Sequence, residues 1–491
     1  MRYLTLLFIA FVFLSSCRNE RIFDDPEAQL EFSNDSIYFD TVFTSLGSAT
    51  ERLVVYNPYK ESIVISEIYL ENGDNSRFRI NVDGRSGSSI DEVIIRPQDS
   101  IFIFAEVTID PNRADNPMVV AEFLSFETNG NKQQIDLVAF GQDAYYYRPT
   151  TAIPGLPVFS YLSSYDSFPF VGKEIMFKAD KPHVILGYLL VDSSLTLNIE
   201  AGAQIHFFQS SGLWVSQGAS LKVSGELDNE VVFQGSRLES NWQDRPGQWD
   251  RIWINDGGTS EINYAIIKNG FVGIQAESWP FNEPLQYAQN TLTIQNTVIQ
   301  NMVGIGLLAR DHKIRANNLL IQDCGTYSLA INGGGDYRFV NCSFVNYWDR
   351  NRQEPLLFVN NQFDDFEGNT QIRDLSQAFF GNCIIYGGKE EEIEIEEPSS
   401  GIFNLSFDHC ILRTEVEEQN EDYFSDCIFN PENLPGTNHP LFKNVFEDDY
   451  QLLEGSTAVD AGFAFNDIPQ KDLNGNLRDS QADIGCYELE D

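Results

Sequence analysis

A short repeat in the second half of the chain limits the fold more than any other feature. The pattern is a polar residue, a small or apolar residue, a spacer and an apolar residue. Its seven copies are INYAIIKN (262–269), IQNTVIQN (294–301), NNLLIQD (317–323), FVNCSFVN (339–346), FGNCIIYG (380–387), FDHCILR (407–413) and FSDCIFN (424–430). Each copy is too short to bury an apolar face of its own, so the copies must stack on one another.

Stacking at the spacing of parallel strands places equivalent residues in columns along one axis. The polar column is Tyr264, Asn296, Asn318, Asn341, Asn382, His409 and Asp426. The next residue gives the column Ala265, Thr297, Leu319, Cys342, Cys383, Cys410 and Cys427, which suits a tight inner corner. Two residues further on, the column Ile267, Ile299, Ile321, Phe344, Ile385, Leu412 and Phe429 is fully apolar. The asparagines are expected to form a partial hydrogen-bonded ladder at a bend. The cysteines are expected to be free buried thiols, with disulfides between coils as the alternative.

The start and the end of this region carry related signatures. In residues 194–207 and 211–233, Gly202 and Gly218 are 16 residues apart, as are Ile205 and Leu221. These segments resemble the opening turns of right-handed parallel β-helix proteins of the pectate-lyase-like superfamily. The segment STAVDAGFAFNDIPQKDLNGNLRDSQADIGCYE (456–488) resembles the C-terminal cap of many bacterial β-helix proteins. The resemblance implies a right-handed parallel β-helix, a solenoid, with a C-terminal cap over 183–491. A β-propeller is the alternative, but the repeat spacing does not settle at about 40–45 residues.

Residues 30–143 have a different pattern, with seven short alternating runs separated by turn residues. The runs are SIYFDTVF (36–43), RLVVYN (52–57), SIVISEIYL (62–70), DEVIIRP (91–97), SIFIFAEVTI (100–109), AEFLSFET (121–128) and QIDLVAF (134–140). This spacing predicts a β-sandwich, so the whole chain is predicted to be all-β. VVYNPYKESIVISEIYL (54–70) resembles immunoglobulin-like domains of the Hydin type, which implies a spacer without catalytic groups. Residues 144–182 are rich in Tyr and Pro and are predicted to form a junction, or alternatively a Pro-rich recognition linker.

The N-terminus carries an export signal. Arg2 precedes the apolar run Leu4–Leu14, which is too short to span a bilayer as a helix. Leu14-Ser15-Ser16-Cys17 resembles the lipobox of bacterial lipoproteins, which implies that residues 1–17 hold the signal and that Cys17 carries the lipid. Residues 18–29 are then a tether, and Arg18, where an inner-membrane retention signal would have Asp, favours the outer membrane. The acidic pair Asp24-Asp25 favours display at the cell surface, as in Bacteroidetes-type lipoproteins. A plain secretory signal is the alternative.

The charge balance limits the partners. The chain has 73 acidic and 32 basic residues, giving a net charge of −41. Such a surface repels nucleic acid, and it repels polyanionic glycans unless a metal ion bridges the two. The seven cysteines form no CxxC pair, so zinc is not predicted.

No catalytic set is visible in the sequence. None of the five histidines lies in a Gly-His-Gly motif, and Asp364-Asp365 falls in an apparent inserted loop. DLNGN (472–476) is similar to the start of a calcium loop but lacks the later ligands. We therefore predict no catalytic residue and no cofactor, with calcium as the alternative. Three or more carboxylates converging on one groove would favour an enzyme.

Tryptophans offer a candidate glycan-binding site. Trp242, Trp249 and Trp253 lie in NWQDRPGQWDRIW, and Trp279 lies in ESWPF. Indole rings can stack on sugars, while Asp244 and Asp250 can bond hydroxyl groups. The alternative is that part of this set seals the core. The sequence thus predicts a non-catalytic envelope protein that binds a glycan or a protein, with a polysaccharide lyase or glycoside hydrolase as the alternative.

Overall fold

The computed structural model describes most of the chain. The described residues are 21–43, 48, 50–108, 118–165, 173–238, 242–256, 258–278, 291–348, 350–364, 367–397, 400–414, 421–430 and 442–489. They divide into two compact units, with the boundary at Asp143 and Ala144. Cys17 and Trp279 lie outside the described residues.

The first unit is a β-sandwich of two five-stranded sheets. Its strands are β1 (Glu31–Phe32), β2 (Ser36–Phe43), β3 (Glu51–Tyr56), β4 (Ile63–Leu70), β5 (Phe78–Val82), β6 (Arg85–Gly87), β7 (Ser89–Ile95), β8 (Ser100–Val107), β9 (Met118–Thr128) and β10 (Asn131–Gln142). The sheet orders are β1-β3-β8-β5-β6 and β2-β10-β9-β4-β7. Among the described strand pairs of this first unit, only that of β10 with β2 is parallel. All seven predicted runs form strands, which confirms the sandwich.

The second unit is a right-handed parallel β-helix with three sheets, which we call A, B and C. Sheet A contains β13 (Glu174–Phe177), β16 (Thr196–Glu200), β19 (Ser220–Ser224), β22 (Ser260–Asn263), β29 (Gly335–Val340), β34 (Leu375–Gly381), β37 (Phe403–Asp408) and β39 (Phe424–Ser425). Sheet B contains β11 (Tyr145–Tyr147), β14 (His183–Ile185), β17 (Gln204–Phe207), β20 (Val231–Gly235), β23 (Ala265–Lys268), β30 (Ser343–Asn346), β35 (Ile384–Gly387), β38 (Ile411–Leu412) and β40 (Ile428–Phe429). Two long strands, β25 (Leu292–Met302) and β27 (His312–Cys324), continue from sheet A into sheet B.

Sheet C completes each coil. Its strands are β12 (Phe159–Tyr161), β15 (Tyr188–Val191), β18 (Gly212–Val215), β21 (Ile252–Asn255), β24 (Val272–Glu277), β26 (Ile305–Arg310), β28 (Leu329–Ile331), β31 (Leu357–Val359) and β36 (Ile393–Ile395). Two hairpins lie outside the coils: β32 (Gln362–Asp364) with β33 (Thr370–Ile372), and β41 (Phe442–Asn444) with β42 (Asp449–Leu452). Short 3₁₀ turns occur at Gly73–Asn75, Leu162–Ser164, Glu421–Tyr423 and Val445–Glu447.

The predicted apolar column runs in register through sheet B. Ile267 pairs with Ile299, Ile299 with Ile321, and this continues without a break to Phe429. Six of the seven side chains are fully buried and Phe429 is half-buried. Removing each such side chain from water stabilises the coil by about 1.5–3 kcal/mol. The stacking predicted from the repeat is therefore confirmed.

The polar column occupies the corner between sheets A and B. All seven of its residues have φ between 46° and 50°, the left-handed region. Asn and Asp tolerate this region better than other non-glycine residues, which explains the polar choice. Asn296 donates to Asn263 (2.9 Å), Asn318 to Asn296 (2.8 Å) and Asn382 to Asn341 (3.4 Å), so the predicted partial ladder is confirmed.

The cysteine column lies just inside this corner. Cys342, Cys383 and Cys410 are fully buried, and Cys427 is half-buried. All six described cysteines are free thiols. They pack as small apolar side chains against the corner backbone.

Ile205 and Leu221, which are 16 residues apart, lie in different sheets. Ile205 pairs with Phe233 in sheet B, whereas Leu221 pairs with Leu197 in sheet A. The similar local patterns arose because strands of two different sheets bury apolar residues with the same alternation.

The parallel sheets begin before residue 183. β11, β12 and β13 pair with β14, β15 and β16, so part of the 144–182 segment belongs to the solenoid. Its aromatic residues are used as core: Tyr147, Phe159 and Phe177 are at most 2% exposed. The sequence did not reveal β11, β12 and β13, because their aromatic residues do not alternate with polar ones in a regular period.

Residues 442–489, which we call the C-terminal strap, cover the outer face of sheet B. A second apolar cluster forms there between strand residues such as Ile384 and strap residues such as Tyr450 and Cys486. The corner asparagines fix the strap: Asn318 donates to the Lys471 carbonyl (2.7 Å) and Asn341 to that of Asp483 (3.0 Å). The segment that resembled a cap therefore packs along the side of several coils.

Candidate functional site

The described tryptophans of the predicted glycan site, Trp242, Trp249 and Trp253, contact other side chains of the protein. Trp249 is 1% exposed, stacks on Phe207 with ring centroids 4.4 Å apart, and donates to the Lys268 carbonyl (2.8 Å). Its prediction as a glycan contact was therefore wrong, because neither ring face is accessible. Trp253 is half-buried, stacks on Trp214 (4.9 Å) and donates to Glu277 (2.5 Å).

The other described residues of the predicted glycan site are Trp242, Asp250 and Asp244, and they do not form one cluster. Two guanidinium groups lie over the half-buried Trp242 ring, those of Arg237 (4.1 Å) and Arg245 (4.7 Å). Asp250 accepts hydrogen bonds from Tyr188 and from Arg251 (2.8 and 2.9 Å). Asp244 is exposed and lines a groove. Of the described members of the predicted set, Asp244 is the one that lines this groove.

We call this concavity the strap groove. It lies where the outer face of sheet B meets the loop after β30 and the C-terminal strap, and its volume is about 410 Å³. Its lining residues are Asp244, Gln300, Asn301, Gln322, Asp323, Tyr347, Trp348, Arg350, Val445, Phe446 and Asp448. The volume is within the range of small-molecule sites.

The groove floor is built by the repeat itself. Gln300 and Gln322 are paired in register on β25 and β27, and the Gln322 amide donates to Gln300 (3.3 Å). The residues that follow them, Asn301 and Asp323, have positive φ, so the chain turns there and carries their side chains to the groove edge. Asn301 donates to the Asp244 carbonyl (2.9 Å), which fixes the loop that carries Asp244.

One buried acceptor on this floor is unpartnered. Gln322 is 4% exposed, and its Oε1 has no hydrogen-bond partner in the described part of the chain. An unpaired buried carbonyl oxygen costs about 1–3 kcal/mol, so a ligand donor placed there would recover that free energy.

Three carboxyl groups line the groove. Asp323 accepts hydrogen bonds from the Tyr450 hydroxyl (2.7 Å) and the Tyr347 amide (2.8 Å), and it is in hydrogen-bonding contact with Asp448. Burial raises the pKa of Asp323 to about 6, and the contact with Asp448 contributes to the rise. Burial also raises the pKa of Asp448, and so does the negative charge of Asp244. One proton is therefore shared within the Asp323–Asp448 pair at mildly acidic pH.

Aromatic side chains form the rim of the groove. Phe446 is 82% exposed, although a side chain of this size is usually buried. Asn444 accepts a hydrogen bond from the Phe446 amide (3.1 Å), which holds the turn that presents the ring. Trp348 is half-buried with the Arg350 guanidinium 5.6 Å from its ring centroid.

Other polar clusters occur on the second unit. On sheet C, Glu277 pairs with Arg310 and Asp311 with Arg373, both at 3.7 Å, and burial raises the pKa of Asp311 to about 7. At the end of the corner column, Asp408, His409 and Asp426 each bring one ligand atom within 4.8 Å of the others. In DLNGN the two Asp472 oxygens accept from the amides of Asn476 (2.7 Å) and Glu488 (2.9 Å), so this segment is a hydrogen-bonded turn.

No family model matches the chain, and no curated protein matches it. Within the described residues, no helix has the length and apolar character needed to cross a membrane.

Several solved structures match parts of the chain. A family 123 glycoside hydrolase from Clostridium perfringens is 8% identical, with a TM-score of 0.17; the match covers 23% of this chain and 25% of that one. The human CEP192 ASH/PapD-like domain is 11% identical over 26% of this chain and 96% of that domain (TM-score 0.17). The catalytic domain of a GH87 α-1,3-glucanase in complex with nigerose is 11% identical over 77% of this chain and 88% of that one (TM-score 0.20). The chain thus spans a quarter of the first of these structures, and scores of this size assign no function.

Proposed function

We propose that this chain is a lipid-anchored cell-envelope protein whose β-helix binds a glycan in the strap groove. The observation that supports the proposal is the exposed Phe446 ring beside a floor of carboxylates and amides. The apolar face of a sugar ring stacks on an aromatic ring, while its hydroxyl groups need hydrogen-bond partners of both kinds. The groove offers both features side by side.

Binding to a panel of oligosaccharides, followed by calorimetry, tests this function. Phe446→Ala is expected to weaken binding of any glycan hit about tenfold, because it removes the stacking surface. Phe208→Ala is the matched control, since Phe208 is also exposed (42%) and does not line the groove. If Phe446→Ala and Phe208→Ala weakened glycan binding equally, the proposal that the strap groove is the glycan site would be contradicted. Capture of an envelope protein with no glycan binding would replace the glycan by a protein partner.

The anchor is a separate part of the proposal. It is supported by the Leu14–Cys17 motif of the sequence. Cys17→Ser is expected to shift the protein from the membrane fraction to the soluble fraction of the cell envelope, because the thioether-linked lipid is lost. Mass spectrometry of the mature N-terminus should find the lipid on Cys17 in the wild type, and an unmodified Cys17 would contradict the anchor.

Hydrolysis of the bound glycan is the second candidate function. Asp244, Asp323 and Asp448 converge on one groove, and three converging carboxyl groups favour an enzyme. Asp323 and Asp448 are in hydrogen-bonding contact, closer than the roughly 5–9.5 Å that separates the two carboxyl groups of glycosidases. The pair would therefore act together as the acid, with Asp244 as the base.

Turnover separates this candidate from simple binding. New reducing ends from a bound oligosaccharide, lost in Asp323→Asn and in Asp244→Asn, would support hydrolysis. Unsaturated products would indicate a lyase. Binding that persists for days without any product would exclude both reactions for that glycan.

A further inference from the structure

We propose that the strap groove selects glycans that carry a free amino group, and that the ammonium group lies between the carboxylates of Asp323 and Asp448. The inference rests on the proposed glycan-binding function and adds the chemical class of the ligand.

The charge of the groove supports this selection. Three carboxyl groups line it, Asp244, Asp323 and Asp448, against one guanidinium group, that of Arg350. A uronic acid or a sulfated sugar would add negative charge to this excess and would be repelled. A cationic ligand would instead offset the excess.

The contact between two carboxyl groups supports an ammonium in particular. Asp323 and Asp448 line the same groove in hydrogen-bonding contact, and two ionised carboxylates in such contact repel unless a proton or another cation lies between them. A primary ammonium can replace the shared proton, and its bonds to carboxylates are charge-assisted. An N-acetyl group carries no charge and a single N–H, so it would leave one carboxylate unpaired.

The third donor of the ammonium also has a partner in the groove. A primary ammonium has three N–H donors and no acceptor. Gln322, next to Asp323 in the chain, lines the same groove, and its buried Oε1 has no partner among the described residues, so a small rotation of this side chain would offer it to the ligand. Two carboxylates and one carbonyl oxygen therefore match the three donors.

The pH dependence follows from the same pair. Below about pH 6 the pair retains a proton, which competes with the ammonium, so affinity is expected to fall as the pH drops from 7 to 5. The other titratable or charged groups near the pair are those of Asp244, Arg350, Tyr347 and Tyr450. Burial raises the pKa of Tyr347 and of Tyr450, so both hydroxyl groups stay neutral in that range.

Calorimetry with two matched disaccharides tests the inference. Glucosamine disaccharide and its N-acetylated form would be compared with the full chain at pH 7 in about 0.15 M salt, which screens the general negative charge. The free amine is expected to bind about tenfold more tightly, as for a hydrogen bond to a charged group. Asp448→Asn should remove most of that preference while leaving binding of the acetylated form. Asp426→Asn, an exposed Asp outside the groove, should leave the preference unchanged.

The outcomes separate this inference from the function on which it rests. Equal affinity for the two disaccharides, with Phe446→Ala weakening both, would overturn the amine selectivity and leave glycan binding intact. Tighter amine binding that is equally lost in Asp426→Asn, or abolished by a chelator, would also overturn it. No binding of either sugar, and no glycan hit elsewhere, would count against the proposed function itself. If Asp448→Asn failed to fold, the wild-type pH profile would decide, and an affinity that does not fall from pH 7 to 5 would contradict the inference.

Discussion

At the residue scale, the corner position of each coil depends most on residue type. Asn341 has a φ of 50°, is fully buried, and donates to the carbonyls of Asp483 (3.0 Å) and Gly485 (3.3 Å) in the strap. Left-handed backbone costs a residue with an ordinary Cβ about 1–2 kcal/mol, and asparagine offsets this by local hydrogen bonding. The polar residue of the repeat therefore has two functions: it accepts the left-handed backbone of the corner, and it donates hydrogen bonds to the strap.

Substitutions at Asn341 separate these two contributions. Asn341→Ala is expected to lower the free energy of unfolding by about 3 kcal/mol, because it adds backbone strain and leaves the strap carbonyls unpaired. Asn341→Gly should cost about 1 kcal/mol less, since glycine accepts the same φ. Urea denaturation measures both.

The control for this pair is an exposed asparagine with the same backbone. Asn351 has a φ of 55° and lies at the surface. Asn351→Ala should cost only about 1 kcal/mol, the strain alone. If Asn341→Ala and Asn341→Gly were equally destabilised, the strain would not be significant at this corner.

At the element scale, sheet B is a continuous stack whose thiols are shielded by their neighbours. Burial raises the pKa of Cys324 and of Cys486 to about 12, and it raises that of Cys383 as well. The thiolate is the reactive form, so these groups are protected both sterically and by protonation. The pKa of the Cys427 thiol is also raised, chiefly by its contact with Cys410, but Cys427 lies near the end of the stack and is half-buried, so a reagent reaches it.

Thiol alkylation mapped by mass spectrometry tests this order. In the native protein at pH 8, Cys427 is expected to react first, and Cys342, Cys383 and Cys410 only after unfolding. All six described cysteines should react in denaturant without reductant. Cysteine pairs that stay unmodified until a reductant is added would indicate disulfides between coils and contradict the free thiols.

The strap is the element that converts a regular solenoid surface into a site. Sheet B alone presents the ladder of Gln300 and Gln322, which is flat and periodic. The turn Val445–Glu447 adds Phe446, and the residue after it, Asp448, adds the second carboxyl of the pair. The groove therefore depends on the docking of the strap, which the corner asparagines and the second apolar cluster hold in place.

At the scale of the whole molecule, buried histidines link solenoid stability to pH. His183, His206 and His312 are at most 4% exposed, and burial lowers the pKa of each to about 4. In the unfolded chain histidine titrates near pH 6.5, so between pH 6.5 and 4 the unfolded state binds more protons. Each of these histidines therefore lowers stability as the pH falls through that window. Asp311, whose pKa is raised to about 7, acts in the opposite direction, so the total curve does not isolate the histidines.

A single variant isolates one histidine. His206→Gln removes a titrating group that contacts the Gly235 carbonyl (3.1 Å) within the solenoid. Relative to this variant, the wild type is expected to lose about 2 kcal/mol of unfolding free energy between pH 7 and 4.5. Urea denaturation at the two pH values gives the difference. A difference that does not change with pH would mean that His206 is protonated as readily in the folded protein as in the unfolded chain, and would contradict the lowered pKa.

The repeat could predict the coils because stacking is a local rule applied many times. Ile267, Ile299 and Ile321 align since each coil must cover the apolar face of the one before, and the corner residue Asn318 is set by its own φ. The same reasoning could not separate Ile205 from Leu221, because strands of different sheets share one alternation. It also misassigned Trp249, since the residues next to a tryptophan in the sequence do not show whether its indole is buried in the core or exposed at the surface.

What the sequence determined by itself is the solenoid and the sandwich, because both follow from alternation and repetition among residues near one another in the chain. What only the tertiary structure decided is the groove. Asp244, Asp323 and Asp448 are separated by 79 and 125 residues, and they meet because the strap returns to the outer face of sheet B. That return depends on hydrogen bonds and apolar contacts between distant segments, for which neither spacing nor composition carries a signal.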